Sequence, residues 1–362
     1  MIATLALMAA QVLVGMLQVV LASGGTLGQL MATRGAHLAV GVATWSALVV
    51  QVALALYLPQ GATPKPLAAE VVAKKPSKLK DYISLTKPGV ITLLILTTVA
   101  SMYITPAGMP PLQLVFWTFV GGWLMASGAH AVNCWADQDI DINMGRTSRR
   151  PIPSGRIPAW HALVLGIVLG ALAFAILAAF VNLAAALLSL AGYFYYVLIY
   201  TRWLKRTTPS NIVIGGGAGA FPPLVGWAAA TGGLTWASLL LFAIIFYWTP
   251  PHFWALALIR EKDYARASVP MLPVVAGSGE TKRQIVLYTV LMLLITILPT
   301  PLRLFGLAYL AMALLLGAIF LRYALLLWRD GTVPAAWALY KFSLLYLALL
   351  WVAMVLDRVL FA

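Results

Sequence analysis

Residues 112–141 read LQLVFWTFVGGWLMASGAHAVNCWADQDID. The first 25 of these, Leu112 to Ala136, are apolar enough to cross a bilayer, for which about 20 residues suffice. The last five hold three of the ten carboxylates in the whole chain, Asp137, Asp139 and Asp141. A membrane span that releases its acids at one edge therefore organises the reading. Composition agrees: 62% of the 362 residues are hydrophobic and 9% are charged, far below the charge of soluble domains. In lipid, backbone polar groups must pair within the chain, and long apolar runs without strand-like alternation do this as helices. An all-α integral membrane protein follows.

Working outward, eleven segments qualify as spans: 2–22, 36–58, 89–105, 112–136, 159–180, 183–201, 211–230, 235–258, 284–300, 303–326 and 336–358. This arrangement puts 21 of the 24 lysines and arginines on one side, with only Arg34, Arg303 and Arg358 on the other. Basic loops mark the cytoplasmic side, so the N-terminus is expected inside and the C-terminus outside, in a cell (inner or plasma) membrane. The net charge of +14 is thus a topology signal, and no nucleic-acid partner is expected. The start of the chain has no basic residue before Arg34, which argues for a retained span over a cleaved signal. A single cysteine, Cys134, excludes an intrachain disulfide and a cysteine-rich metal site. Between residues 59 and 80, Pro59, Gly61, Pro64, Pro66 and Pro76 lie among lysines and read as a flexible linker. The expected domains are a hairpin over 1–58, a linker over 59–80 and a body over 81–362.

On a helix, Asn133, Asp137 and Asp141 share one face at i, i+4 and i+8, while Asp139 points elsewhere. Like charges so spaced repel unless a cation intervenes, and Mg²⁺ suits hard oxygen ligands that also meet phosphates. Arg146, Arg149 and Arg150 follow within ten residues, as a metal-bound diphosphate requires. An ordinary helix end with acids and arginines pairing in water carries about the same weight on these residues alone. A second polar stretch runs from Thr249-Pro250-Pro251-His252-Phe253-Trp254 through Arg260-Glu261-Lys262-Asp263-Tyr264 to Pro270-Met271-Leu272-Pro273. A third, Thr201-Arg202-Trp203-Leu204-Lys205-Arg206, precedes Asn211 and Gly215-Gly216-Gly217. All three lie on the basic side, as a site opening to the cytoplasm would place them.

These stretches resemble the UbiA superfamily of membrane prenyltransferases. The resemblance rests on Asn133-x3-Asp137-x3-Asp141 running into Met144-x-Arg146-Thr147-x2-Arg150-Pro151, on Leu85-Thr86-Lys87-Pro88, on Lys205-Arg206-Thr207, and on the second polar stretch, which is similar to that of the heme-prenylating branch. It covers about residues 81–360. It implies a nine-helix bundle around a central cavity, here preceded by the two-helix hairpin. It also implies Mg²⁺ as cofactor, farnesyl diphosphate and heme b as substrates, and transfer of farnesyl to a heme vinyl group with release of diphosphate. Asn133, Asp137 and Asp141 would hold the metal, with Arg146 and Arg150 acting with them in catalysis. Lys87, Arg149, Lys205, Arg206, His252, Asp263 and Tyr264 would line the substrate sites. The second loop departs from the family pattern, with only Glu261 and Asp263 where relatives carry paired aspartates, so a second metal site is not assigned.

His252 is a candidate for heme ligation, and His130, three residues before Asn133, is a weaker candidate for the same cavity. The hairpin, through Gln11 to Val20 and Ala36-His37-Leu38-Ala39, resembles the last helix pair of the heme A synthase family. With His37 alone in it, the hairpin reads as a remnant or docking element, which makes heme A synthase a candidate partner. Two other classes stay open at this stage: prenylation of a quinone-precursor ring, and membrane transport along a carboxylate-lined path.

Overall fold

The computed structural model describes residues 78–361. The expected hairpin 1–58, with His37, and nearly all of the linker 59–80 lie outside the described residues.

Proline disfavours a right-handed helical conformation in the residue before it, and Lys87, before Pro88, sits in the left-handed region at φ 52° and ψ 56°. The chain breaks there into α1 (Lys78–Leu85) and α2 (Pro88–Ile104), whose axes meet at 48°. Next comes α3 (Leu112–Ala136), which leaves regular geometry at Asp137 (φ −96°, ψ 7°) and resumes as the single turn α4 (Gln138–Asp141). Hydrogen bonds from Asp137 N to Asn133 O (2.9 Å) and from Asp141 N to Asp137 O (2.8 Å) bridge the break. The i, i+4 register of the acids therefore survives it.

The remaining long helices are α5 (Ala159–Phe180), α6 (Leu183–Thr207), α7 (Asn211–Thr231) and α8 (Trp236–Ile259). After the short α9 (Glu261–Arg266) come α10 (Leu272–Ile297), α11 (Leu307–Asp330) and α12 (Val333–Phe361). Among the described residues the long helices close a ring in the order α2, α3, α5, α6, α7, α8, α10, α11, α12 and back to α2, and α2–α7 and α8–α12 contacts brace it across. The α3–α5 contact is a close backbone approach. A Cβ on Gly128 would lie 2.7 Å from the Gly166 carbonyl oxygen, and one on Gly166 equally close to that of Gly128. Small residues permit such approach between membrane helices.

Local signals explain several ends. Asn182 caps α6 by accepting from Ala185 N (2.8 Å), and its amide donates to the carbonyl of Ala228 in α7 (2.9 Å). Thr235 and Ser238 form a capping box at the start of α8. Trp351, Tyr309, Tyr346 and Phe320 are fully buried in the α11–α12 half of the ring, while Leu112, Ile167, Leu187 and Leu315 are exposed. Large apolar side chains all round the outside suit a lipid solvent.

Among the described residues, seven helices are long and apolar enough to span, or eight when the bent α1–α2 pair counts as one. The expected span 284–300 is the apolar half of α10, whose other half carries Glu280, Lys282 and Arg283 and breaks at Gly277 (φ 80°, ψ 168°). The nine spans expected in the body are therefore not reproduced by length and composition. The expected long loop after residue 258 is largely helical, folded into α9 and the first turns of α10.

Candidate active site at the ends of α3 and α6

Asn133, Asp137 and Asp141 are all buried, at 3%, 2% and 2% exposure. Water cannot hold charges at such depth, so the chain must supply their partners. Within α6, residues Tyr195–Leu204 adopt π-helical geometry, a widened turn often found at functional sites. Thr201 and Lys205 from this region meet α3. Asn133 Nδ2 donates to Thr201 Oγ1 (3.0 Å) and to Asp137 Oδ2 (2.8 Å). Lys205 Nζ donates to the same Asp137 oxygen at 2.6 Å.

The α1–α2 break brings Lys87 to the cluster, where its Nζ donates to Asn133 Oδ1 at 2.6 Å. From the loop after α4, Arg150 donates to Asp141 Oδ2 at 2.6 Å. Two buried carboxylates thus face three cations, Lys87, Lys205 and Arg150, with Arg206 3.8 Å from Asp137 Oδ1 as an outer fourth. Such an excess of positive charge suits an anion. Asp137 Oδ1, meanwhile, is buried without a hydrogen bond, an open oxygen of the kind a hard cation takes. No three His, Cys, Asp or Glu side chains among the described residues converge as a ready-made metal site. Mg²⁺ does not need one, since it keeps waters and shares its ligation with substrate phosphates. The donor set fits such an ion.

Asp139 points away, as the helical spacing implies, and forms a two-pronged bridge with Arg206 (2.6 and 2.8 Å). That hydrogen bond holds its carboxyl down at about 2. Arg206 also donates to the Ala136 carbonyl (2.6 Å), pinning α6 to the end of α3.

The other expected residues stand further off. Asp263 on α9 accepts a long 3.4 Å hydrogen bond from Gly145 N, so the two signature loops touch. Tyr264 is buried beside the charges of Arg146, Arg260 and Arg150, and burial pushes its hydroxyl pKa up against their pull. Arg146 and Arg149 are exposed and form no ion pair among the described residues. His252 is not in this cluster. It lies between α8 and α12, stacked on Trp248 and Tyr340 at 4.4 and 4.7 Å, with Nδ1 2.6 Å from Ser343 Oγ. Thr201 is the contact that sequence reasoning did not single out. Its signal was its place one turn before Lys205, within a stretch already noted as basic.

Residues 94–350 match the model of the UbiA prenyltransferase family. A Roseiflexus castenholzii protein called protoheme IX farnesyltransferase is 65% identical over 99% of this chain and 69% of its own length. A Synechocystis protein of the same name is 51% identical over 77% of this chain and 89% of its own length. Among solved structures, a UbiA homolog from Archaeoglobus fulgidus bound to GPP and Mg²⁺ superposes with a TM-score of 0.56. It is 15% identical and covers 77% of this chain and 99% of its own, which speaks for the fold. With the ring of helices and the buried Asn133–Asp137–Asp141 cluster in place, these matches make the assignment plain: the chain belongs to the UbiA prenyltransferase family.

Proposed function

We propose that the chain transfers the farnesyl group of farnesyl diphosphate to a vinyl group of protoheme IX, releasing diphosphate and, after water addition, forming heme O. The observation that carries this reading is the 65% identity, spread over 99% of the chain, with a relative called protoheme IX farnesyltransferase.

The cluster geometry suits the donor half of that reaction. Asp137 and Asp141, with Asn133, would hold Mg²⁺, which when bound supplies Lewis-acid stabilisation of the leaving diphosphate. Lys87, Lys205 and Arg150 offer nitrogen donors within one small volume, and they bind and orient the diphosphate oxygens. Preorganised donors of this kind act without reorganising when charge develops. The farnesyl chain, being apolar, extends from the cluster into the bundle, where the vinyl carbon attacks its first carbon. Arg146 and Arg149 on the loop after α4, Arg206 at the end of α6, and Asp263 and Tyr264 on α9 are assigned to substrate binding around this cluster, and His252 to the heme side.

The basic loops support a cytoplasmic orientation of this face and a cell-membrane location for the chain. The Synechocystis relative matches 77% of the chain with 89% of its own length, which supports reading a body, taken here as 81–362, that is distinct from the segment before it. Residues 1–58 would then be an added element, docking to a heme A synthase-type partner.

The test is incubation of the purified full chain in detergent with heme b, farnesyl diphosphate and Mg²⁺, read by mass spectrometry. A hydroxyethylfarnesyl heme that requires the metal is the expected product. Prenylation of a benzoate or naphthoate in a parallel reaction, with heme unchanged, would replace the acceptor.

A further inference from the structure

His130 is 7% exposed, and its Nδ1 is buried with no hydrogen-bond partner. A polar atom left unpaired at that depth is costly, and the surroundings indicate what is missing. His130 shares a stripe running along α3 and on through the bridged break into α4 with Asn133, Asp137 and Asp141, at spacings of three, four and four residues. Its ring meets Tyr196 of the π-helical turn edge to face, centroids 5.3 Å apart. The charges of Lys87 and Arg150 both reach it. Those two groups also touch Asn133 and Asp141. His130 therefore belongs to the same site from one turn further inside the helix, about 4.5 Å deeper than Asn133.

Depth assigns the ligand. If a prenyl diphosphate binds with its phosphates at the Asn133–Asp137 level, its apolar chain runs inward along the bundle. The group one turn deeper then faces the junction between phosphate and prenyl carbon. A neutral imidazole carries one N–H, and an anion oxygen beside Nδ1 selects the tautomer that places the proton there. We propose that His130 Nδ1–H donates to a non-bridging oxygen of the phosphate nearest the prenyl carbon, strengthening as that phosphate gains charge when the carbon–oxygen bond breaks. This makes His130 a catalytic residue for departure of the diphosphate. The inference rests on the prenyl diphosphate part of the proposed function and is indifferent to the acceptor.

The experiment compares full-length wild type with His130→Ala, His130→Asn and His130→Gln. Two quantities are read: affinity for farnesyl S-thiolodiphosphate with Mg²⁺ by calorimetry, and kcat and KM for transfer. An asparagine amide overlays Nδ1, whereas a glutamine amide overlays Nε2. Expected for the alanine variant are about a 10-fold weaker affinity for the analogue and about a 100-fold lower kcat. The asparagine variant should recover most of both, and the glutamine variant little. An alanine variant that binds the analogue and turns over like wild type overturns the proposal. So do three variants equally impaired with equally lowered melting temperatures, which would make His130 a packing partner of Tyr196. Wild type that binds the analogue yet leaves heme unmodified refutes the acceptor alone, and His130 is then judged on the analogue affinities.

Discussion

The two signature loops come from the same face of the bundle, yet the structure treats their acids differently. Asp137 is 2% exposed and meets Lys205 at 2.6 Å. Asp263, on the second loop, has a side chain 20% exposed, a 3.4 Å contact with Gly145 N and Arg266 at 4.0 Å. One loop holds carboxylates out of water against fixed cations. The other rests its acid over the rim of the first. Buried ion pairs rarely repay their desolvation as stability, so the first arrangement reads as a centre kept for binding and the second as a cover that helps close it. The shortage of acids in the second loop fits this division, with the load resting on one cluster.

The sharpest way to break the contrast is Asp137→Ala. On the proposed metal-holding role, losing Asp137 in a water-poor site removes several kcal/mol of transition-state stabilisation, about 10³-fold in turnover. It also leaves Lys205 unpaired at 11% side-chain exposure, which destabilises by roughly 3–5 kcal/mol. Adding Lys205→Met should restore the melting temperature and leave turnover lost. A double variant that regains activity would mean the pair is structural only. Turnover and thermal melting in detergent separate the two effects.

How much of this was open to sequence reading follows from where each contact comes from. The shared face of Asn133, Asp137 and Asp141, and the outward Asp139, depend on helical period alone, so they were legible. Lys205 reaching Asp137 across 68 residues depends on a π-helical turn and on the α3–α6 contact, and no local pattern announces either. Lys87 was marked by family pattern, but its aim at Asn133 comes from the break imposed before Pro88. The ring order of helices was legible only as far as short turns make neighbours. The stretch after residue 258 looked like a loop because its charges broke the apolar run, although charged residues at a membrane surface fold into helices as readily as any. His252 was marked as a heme-side candidate because it lies in a signature, and no local pattern announces its contact with Ser343 of α12, away from the acids.

A milder test of the cover is Asp263→Ala. Its one contact across the loops is long and partly exposed, so fold stability should change by no more than about 1 kcal/mol. Turnover should fall about 10-fold, with KM for the prenyl donor rising, as expected when a loop that positions substrate is loosened. A loss matching that of Asp137→Ala would place Asp263 among the metal-holding groups and erase the contrast between the loops.

The smallest effect belongs to Asp139, and its sign can be worked out. Arg206 holds the Asp139 carboxyl at about 2, below its ordinary 3.8. A carboxyl whose pKa is lower in the folded protein contributes stability above its unfolded value, and loses that contribution as pH falls through the folded one. The bridge should therefore contribute fully above about pH 4 and fade toward pH 2. Because the Asp139 side chain is 61% exposed, solvent screening limits its worth to about 1 kcal/mol or less. Asp139→Asn should melt slightly below wild type at neutral pH, the two curves should converge on acidification, and turnover should stay near wild type. A gap that persists below pH 2 would mean that the Arg206 contact with the Ala136 carbonyl, and not the carboxylate, carries the join between α3 and α6. The asparagine would then have disturbed that contact.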